Sequence, residues 1–272
     1  MVLFFILVGA YYLYDLADFI QSLLPKTPTI VFSLLVIALG AFALKQGLET
    51  LARVAVILII PVVLLIAVGI VPNLFTIDQP IILMPLENWK HTVSGTIFQA
   101  SVFGELLVLT MLLPAVNRPG SIVKPVFITI VLGWLVIVTL VFTLYGNFNV
   151  YTTKVIFKLF ELYRDVGRIE SLFIFLWVTT FLIKVSVFLY AAVKGMSDVL
   201  GLKSHGPLVL PMAVLIAFLS LVLAPNYIYY IRFFIDFYPL LSLSVELGVL
   251  LMFGAALLLG TGLKGSGSRP DL

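Results

Sequence analysis

Apolar stretches long enough to cross a lipid bilayer follow one another along almost the whole chain, separated by short polar breaks. A spanning helix needs about 20 predominantly apolar residues, with a range of roughly 17–25. Counted on that basis the spans lie at 2–24, 30–44, 51–71, 93–116, 123–145, 171–200, 208–223 and 238–263. The second and seventh are short, and the sixth is long enough to cross at a tilt. The chain therefore reads as an all-α integral membrane protein of about eight transmembrane helices. Hydrophobic residues make up 62% of the 272 and charged residues 11%, against about 25% charged in an ordinary soluble domain. No soluble core of this size hides so much apolar surface, so the solvent is lipid.

The breaks carry recognisable punctuation. Pro25-Lys26-Thr27-Pro28, Asn117-Arg118-Pro119-Gly120 and Lys203-Ser204-His205-Gly206-Pro207 are too rigid and polar to continue a helix. The most polar stretch, 146–169, has room for a short surface helix at 155–166. Residues 1–264 read as one transmembrane domain, and the Gly/Ser-rich end, 265–272, as a disordered tail. Eight spans put both termini on one side. That side carries eight Lys and Arg against seven on the other, a small excess that favours both termini in the cytoplasm. The tyrosines and phenylalanines crowded into 226–238 are expected at the headgroup level as an interfacial belt.

Cysteine is absent, which excludes disulfides and thiolate chemistry. The two histidines, His91 and His205, both fall in polar connections, which argues against a histidine metal centre. No cofactor is expected. The cations are scattered over loops, so a nucleic-acid partner is not expected either. No phosphate loop, dinucleotide fingerprint or nucleophile–base set is present, so the chain does not read as an enzyme.

Chemistry is then sought among charges inside the spans. Each costs at least about 2.5–3.5 kcal/mol at the bilayer centre and marks a functional site by default. Asp15, Asp18, Glu105, Lys184 and Glu246 qualify. Glu105 follows Ser101-Val102-Phe103-Gly104, where small residues allow a broken, ligand-facing segment whose freed backbone groups would bind a substrate. A continuous helix, with Gly104 packing closely and Glu105 paired to a cation, is the competing reading. Phe98, Ser101, Val102, Phe103, Gly104, Glu105 and Ser186 are the candidate substrate-binding residues. Lys184 needs a carboxylate partner at its depth, and Glu105 is the nearest. The pair would serve as a structural lock, a proton relay or a fixed cation. Asp15 and Asp18 share a helix face. They either snorkel to the interface or line an outer vestibule with Tyr11 or Tyr14. Nothing in the sequence decides the setting of Glu246.

Phe103-Gly104-Glu105 with the following LLVLTMLLPAVNRP, Arg168-Ile169-Glu170-Ser171-Leu172-Phe173, the run FLIKVSVFLYAAVKGMSDVLGL at 181–202, LPKTP at 24–28 and GLETLAR at 47–53 together resemble the spore germination permease family. Its members are the B subunits of nutrient germinant receptors in endospore-forming bacteria. The resemblance implies the fold of amino acid–polyamine–organocation transporters, ten helices in two inverted repeats of five. It implies a small nutrient ligand such as an amino acid, and A and C subunits as partners in the spore inner membrane. The segment at 101–105 would belong to the sixth helix of that fold and Lys184 to the eighth, where related transporters hold a sodium ion. The spans at 2–24 and 171–200 would be its long third and eighth helices. The chain would then start at the third helix, without the first two. An amino-acid permease coupled to protons, or a truncated non-functional paralogue, are the alternatives.

Overall fold

A computed structural model of the chain describes residues 1–75, 89–148, 163 and 169–258. The described residues form helices and turns with no strand. In order these are α1 (Val2–Leu23), α2 (Thr29–Lys45), α3 (Leu48–Leu74) and α4 (Trp89–Phe103). Helix α4 runs on through a 3₁₀ turn (Gly104–Val108), one α-helical turn (Leu109–Leu112) and a second 3₁₀ turn (Leu113–Ala115). There follow α5 (Val123–Phe148), α6 (Glu170–Val199), α7 (Val209–Leu223) and α8 (Tyr227–Arg232). A π turn (Phe233–Phe237) joins α8 to α9 (Tyr238–Leu258). Lipid offers no partner for backbone groups, so every apolar run closes its hydrogen bonds within itself and becomes helical whatever its content of Val and Ile.

Among the described residues seven helical segments are long and apolar enough to cross a membrane, and α2 is a shorter apolar helix of 17 residues. At 1.5 Å per residue α2 is about 26 Å long, just under the hydrocarbon thickness. The chain is a multi-pass, all-α membrane protein. The expected tail lies outside the described residues, as does the expected surface helix at 155–166 apart from Tyr163.

Burial and hydropathy are opposed in α1 and α3. Helix α3, with a mean hydropathy of 3.4 over its spanning window, is 17% buried there, while α1, at 1.6, is 72% buried. In a bilayer the most apolar helices face lipid and the inner ones carry the polar groups. Helix α1 packs against α2, α6 and α7, with Phe5, Ala10, Leu13 and Leu16 fully enclosed. Small residues set the spacing: a Cβ on Gly40 of α2 would lie 3.2 Å from Ser186 Oγ of α6. Helices α3 and α5 lie outside this nucleus, and α4 packs along α9.

Two turns use glycine for its backbone. Gly47, at φ 99°, starts α3 after Lys45 and Gln46. Gly201, at φ 64°, ends α6, where Gly201 N–H donates to Asp198 O at 3.2 Å and Leu202 N–H to Ser197 O at 3.0 Å. That pair of bonds closes a Schellman motif.

The aromatic stretch departs from the expected belt. Its residues are helical and form the first part of the last span, eleven residues ahead of the expected start at 238. Tyr230 and Tyr238 turn inward and are buried, whereas Ile228, Tyr229, Ile235 and Phe237 face outward. A helix divides its residues between two faces, so only one side of an aromatic run can lie at the lipid boundary.

Candidate functional site

The site forms where α4 changes pitch. Gly104 opens the 3₁₀ turn, but the chain stays helical through it, so the expected broken segment is a tightening of the helix rather than an unwound gap. Gly104 is not among the positive-φ glycines. Its lack of a side chain matters for space, because a Cβ there would overlap Ser242 Oγ and Glu246 Oε1 of α9. The close approach lets Ser242 Oγ donate to Ser101 O at 2.6 Å, using a backbone carbonyl at the pitch change.

One residue into the turn, Glu105 points toward α1 and α6. Lys184 Nζ lies 2.9 Å from Glu105 Oε2. The same ammonium sits 3.5 Å from the centroid of the Tyr12 ring, a cation–π contact. The hydroxyl of Tyr12 donates to Glu105 Oε1, and that of Tyr238 lies 3.4 Å from the same oxygen. Glu105 thus has a donor from α1, a donor from α9 and a cation from α6. The Glu105 side chain is 15% exposed and that of Lys184 33%. A cleft of about 630 Å³ is lined in part by Leu51, Leu112, Asn117, Ile183 and Val187, with neither Glu105 nor Lys184 in its lining.

The other sequence candidates divide. Phe98 packs edge-to-face on Phe234 at 4.9 Å. Val102 lies against the core around α1, and Phe103 is half-buried. Ser101 is buried, its hydroxyl donating to Phe98 O at 2.6 Å. Ser186 stands apart from the cluster: two residues from Lys184, it falls on the opposite side of α6. There it is buried against Gly40 and donates to Leu182 O at 2.7 Å.

Tyr11 stacks on Tyr230 at 4.3 Å and on Phe234 at 4.8 Å. Asp15 lies against Tyr230, and Asp18 against Tyr14. Both aspartates are half-buried within this tyrosine cluster.

Sequence reasoning missed Tyr12, Tyr238 and Ser242. Tyr12 lies in an aromatic run where nothing singles it out. Tyr238, Ser242 and Glu246, however, recur at four-residue spacing, which places them on one face of α9. That spacing was the available signal.

Comparison with known proteins bears on this arrangement. A family profile described as spore germination protein matches residues 1–228. The chain is 27% identical over 242 residues to Spore germination protein KB of Bacillus subtilis (strain 168), an alignment covering 83% of this chain and 64% of the relative. It therefore spans less than two thirds of the length of that curated relative. No solved structure matches. With a family profile covering most of its membrane-spanning helices, the chain belongs to the spore germination permease family.

Proposed function

We propose that this chain is a membrane subunit of a nutrient germinant receptor, sensing a small nutrient such as an amino acid at the Glu105–Lys184 pair and helping to trigger spore germination. The observation that carries the reading is the pair itself, an ammonium and a carboxylate 2.9 Å apart at a helix pitch change between α1, α6 and α9. A free amino acid bears the same two charges. Its carboxylate can replace Glu105 as the partner of Lys184 while its ammonium takes the place of Lys184 beside Glu105. The exchange keeps all four charges paired, which a low-dielectric site requires.

Binding would separate α6 from the 3₁₀ turn and favour one arrangement of the bundle over another, a population shift read by the partners. Those partners are A and C subunits, in the spore inner membrane, with both termini of this chain in the cytoplasm. Likeness to the B. subtilis germination protein supports this assembly.

Binding of radiolabelled amino acids to the purified chain in nanodiscs tests the proposal. One or more amino acids should bind saturably, with affinity falling in Glu105→Gln while the protein still inserts and folds. Equal affinity in that variant would remove Glu105 from the site. A cleft between α3, the end of the α4 segment and α6 favours a second reading, an amino-acid permease, which uptake into sealed proteoliposomes separates from a pure sensor.

A further inference from the structure

A second cluster of apolar side chains lies apart from the nucleus around α1, built on Leu65 of α3, Phe173 and Leu176 of α6, and Tyr163. Tyr163 stands as a spacer between the two helices. Its ring stacks on Phe173 at 4.6 Å, and it fills the space that a side chain at Gly69 of α3 would take. Pro61 lies within α3 ahead of this cluster. It has no N–H for the carbonyl of Ile57, so α3 lacks one of its hydrogen bonds there. Between α3, α5 and α6 a cavity of about 240 Å³ is left.

Its walls include Val62, Leu65, Leu140, Leu176 and Trp177, and no charged residue is among the described lining residues. Thr180 also lines it, but the threonine hydroxyl is spent on its own helix, 2.9 Å from the carbonyls of Leu176 and Trp177. An apolar cavity of about 150 Å³ stays dry and takes up benzene or xenon, and this one has room for a longer hydrocarbon. A free amino acid does not suit it, because its two charges would be desolvated there without partners. Transfer from lipid brings no hydrophobic gain, since lipid tails are as apolar as the walls. Filling the void does bring a gain: wall atoms that face empty space lack dispersion partners, and a hydrocarbon supplies them.

The surroundings of the cavity identify the occupant. Over their spanning windows α3 is 17% buried and α5 6% buried, so both turn most of their surface to lipid. Val136 of α5 is a wall residue and is itself 36% exposed, so the cavity reaches the lipid-facing surface. The wall residues lie toward the ends of α3 and α5, at Leu74 and Phe148, and near the start of α6, at Glu170. At 1.5 Å per residue they stand about 5–18 Å inside that end of the bundle. Half of a hydrocarbon core about 30 Å thick covers nearly the same depth. We infer that the cavity is a binding site for the hydrocarbon chain of a membrane lipid, one acyl chain of that leaflet inserted between α3 and α6 and held against Trp177. The site contains neither Glu105 nor Lys184 and does not depend on nutrient binding.

Trp177 makes the site readable by fluorescence. The chain has three tryptophans, and Trp89 and Trp134 are 64% and 50% exposed. Trp89→Phe with Trp134→Phe leaves Trp177 as the one emitter. In vesicles of phosphatidylcholine, replacing ordinary lipid by lipid brominated in the middle of its acyl chains should quench Trp177. Ile66→Phe and Leu140→Phe fill the cavity from two of its walls, α3 and α5, and each should weaken that quenching by about twofold or more. Absence of quenching in the unfilled protein overturns the proposal without either filling variant. Undiminished quenching in both filled proteins overturns it too, because Trp177 would then meet only passing lipid. A second arm adds 1-bromohexane to the protein in vesicles of ordinary lipid. Quenching by bromohexane but not by brominated lipid would give the cavity to a small free hydrocarbon and refute the lipid chain. None of these readouts involves a nutrient, so their failure is distinct from failure to bind one.

Discussion

Gly104 of the 3₁₀ turn and Ser242 of α9 approach so closely that only a hydrogen fits between them. The contact holds α4 and α9 in register and aims Glu105 at its partners. Gly104→Ala must push the two helices apart, at about 1–3 kcal/mol for overpacking of this kind. Gly95→Ala, where an added methyl meets nothing within 4 Å, is the matched control. Thermal unfolding in one detergent should show a lower Tm for the first substitution only. Equal Tm values would mean that α9 does not need the glycine.

The Glu105–Lys184 pair predicts non-additive losses. Removing either partner leaves a charge without its counter-ion, which costs roughly 3–5 kcal/mol when burial is complete. With the Lys184 side chain 33% exposed, the cost should be smaller, about 1–3 kcal/mol. Glu105→Gln and Lys184→Met should each destabilise more than the two together. Additive losses in the double-mutant cycle would count against a direct interaction.

Tyr12 acts through two separate parts. Tyr12→Phe keeps the ring beneath the ammonium and removes the hydroxyl donated to Glu105, at a cost of about 0.5–1.5 kcal/mol. Tyr12→Leu removes both and should lose more, by the about 0.5–2 kcal/mol of a cation–π contact. Should the two variants unfold alike, the ring would have no part in holding Lys184.

At the end of α6, Gly201 sits at φ 64° and closes a Schellman motif. Gly201→Ala should lower stability by about 1–2 kcal/mol, the strain of a left-handed residue with a Cβ. Gly201→Asn, better tolerated in that conformation, should lose less. The ranking Gly, Asn, Ala in unfolding midpoints is the check. An alanine variant as stable as wild type would contradict the strained turn.

The helices were legible in the sequence because lipid imposes a single solution on a long apolar run: the backbone must bond within itself. Most ends agree to within a few residues because proline and glycine stop helices by local sterics, as at Pro25, Pro28 and Gly201. The partnership of Glu105 with Lys184 could also be anticipated, since two opposite charges at one depth of a membrane have few other ways to be paired. Tertiary structure decided the rest. Whether α4 unwinds or tightens at Gly104 depends on α9 lying against it, and residues around Gly104 do not encode where α9 lies. The inward turn of Tyr230 and Tyr238, away from an interfacial belt, depends on Tyr11 and Glu105 being opposite them. Ser186 left the site and Tyr12 entered it for the same reason: a face of a helix acquires a role only from the helix packed against it.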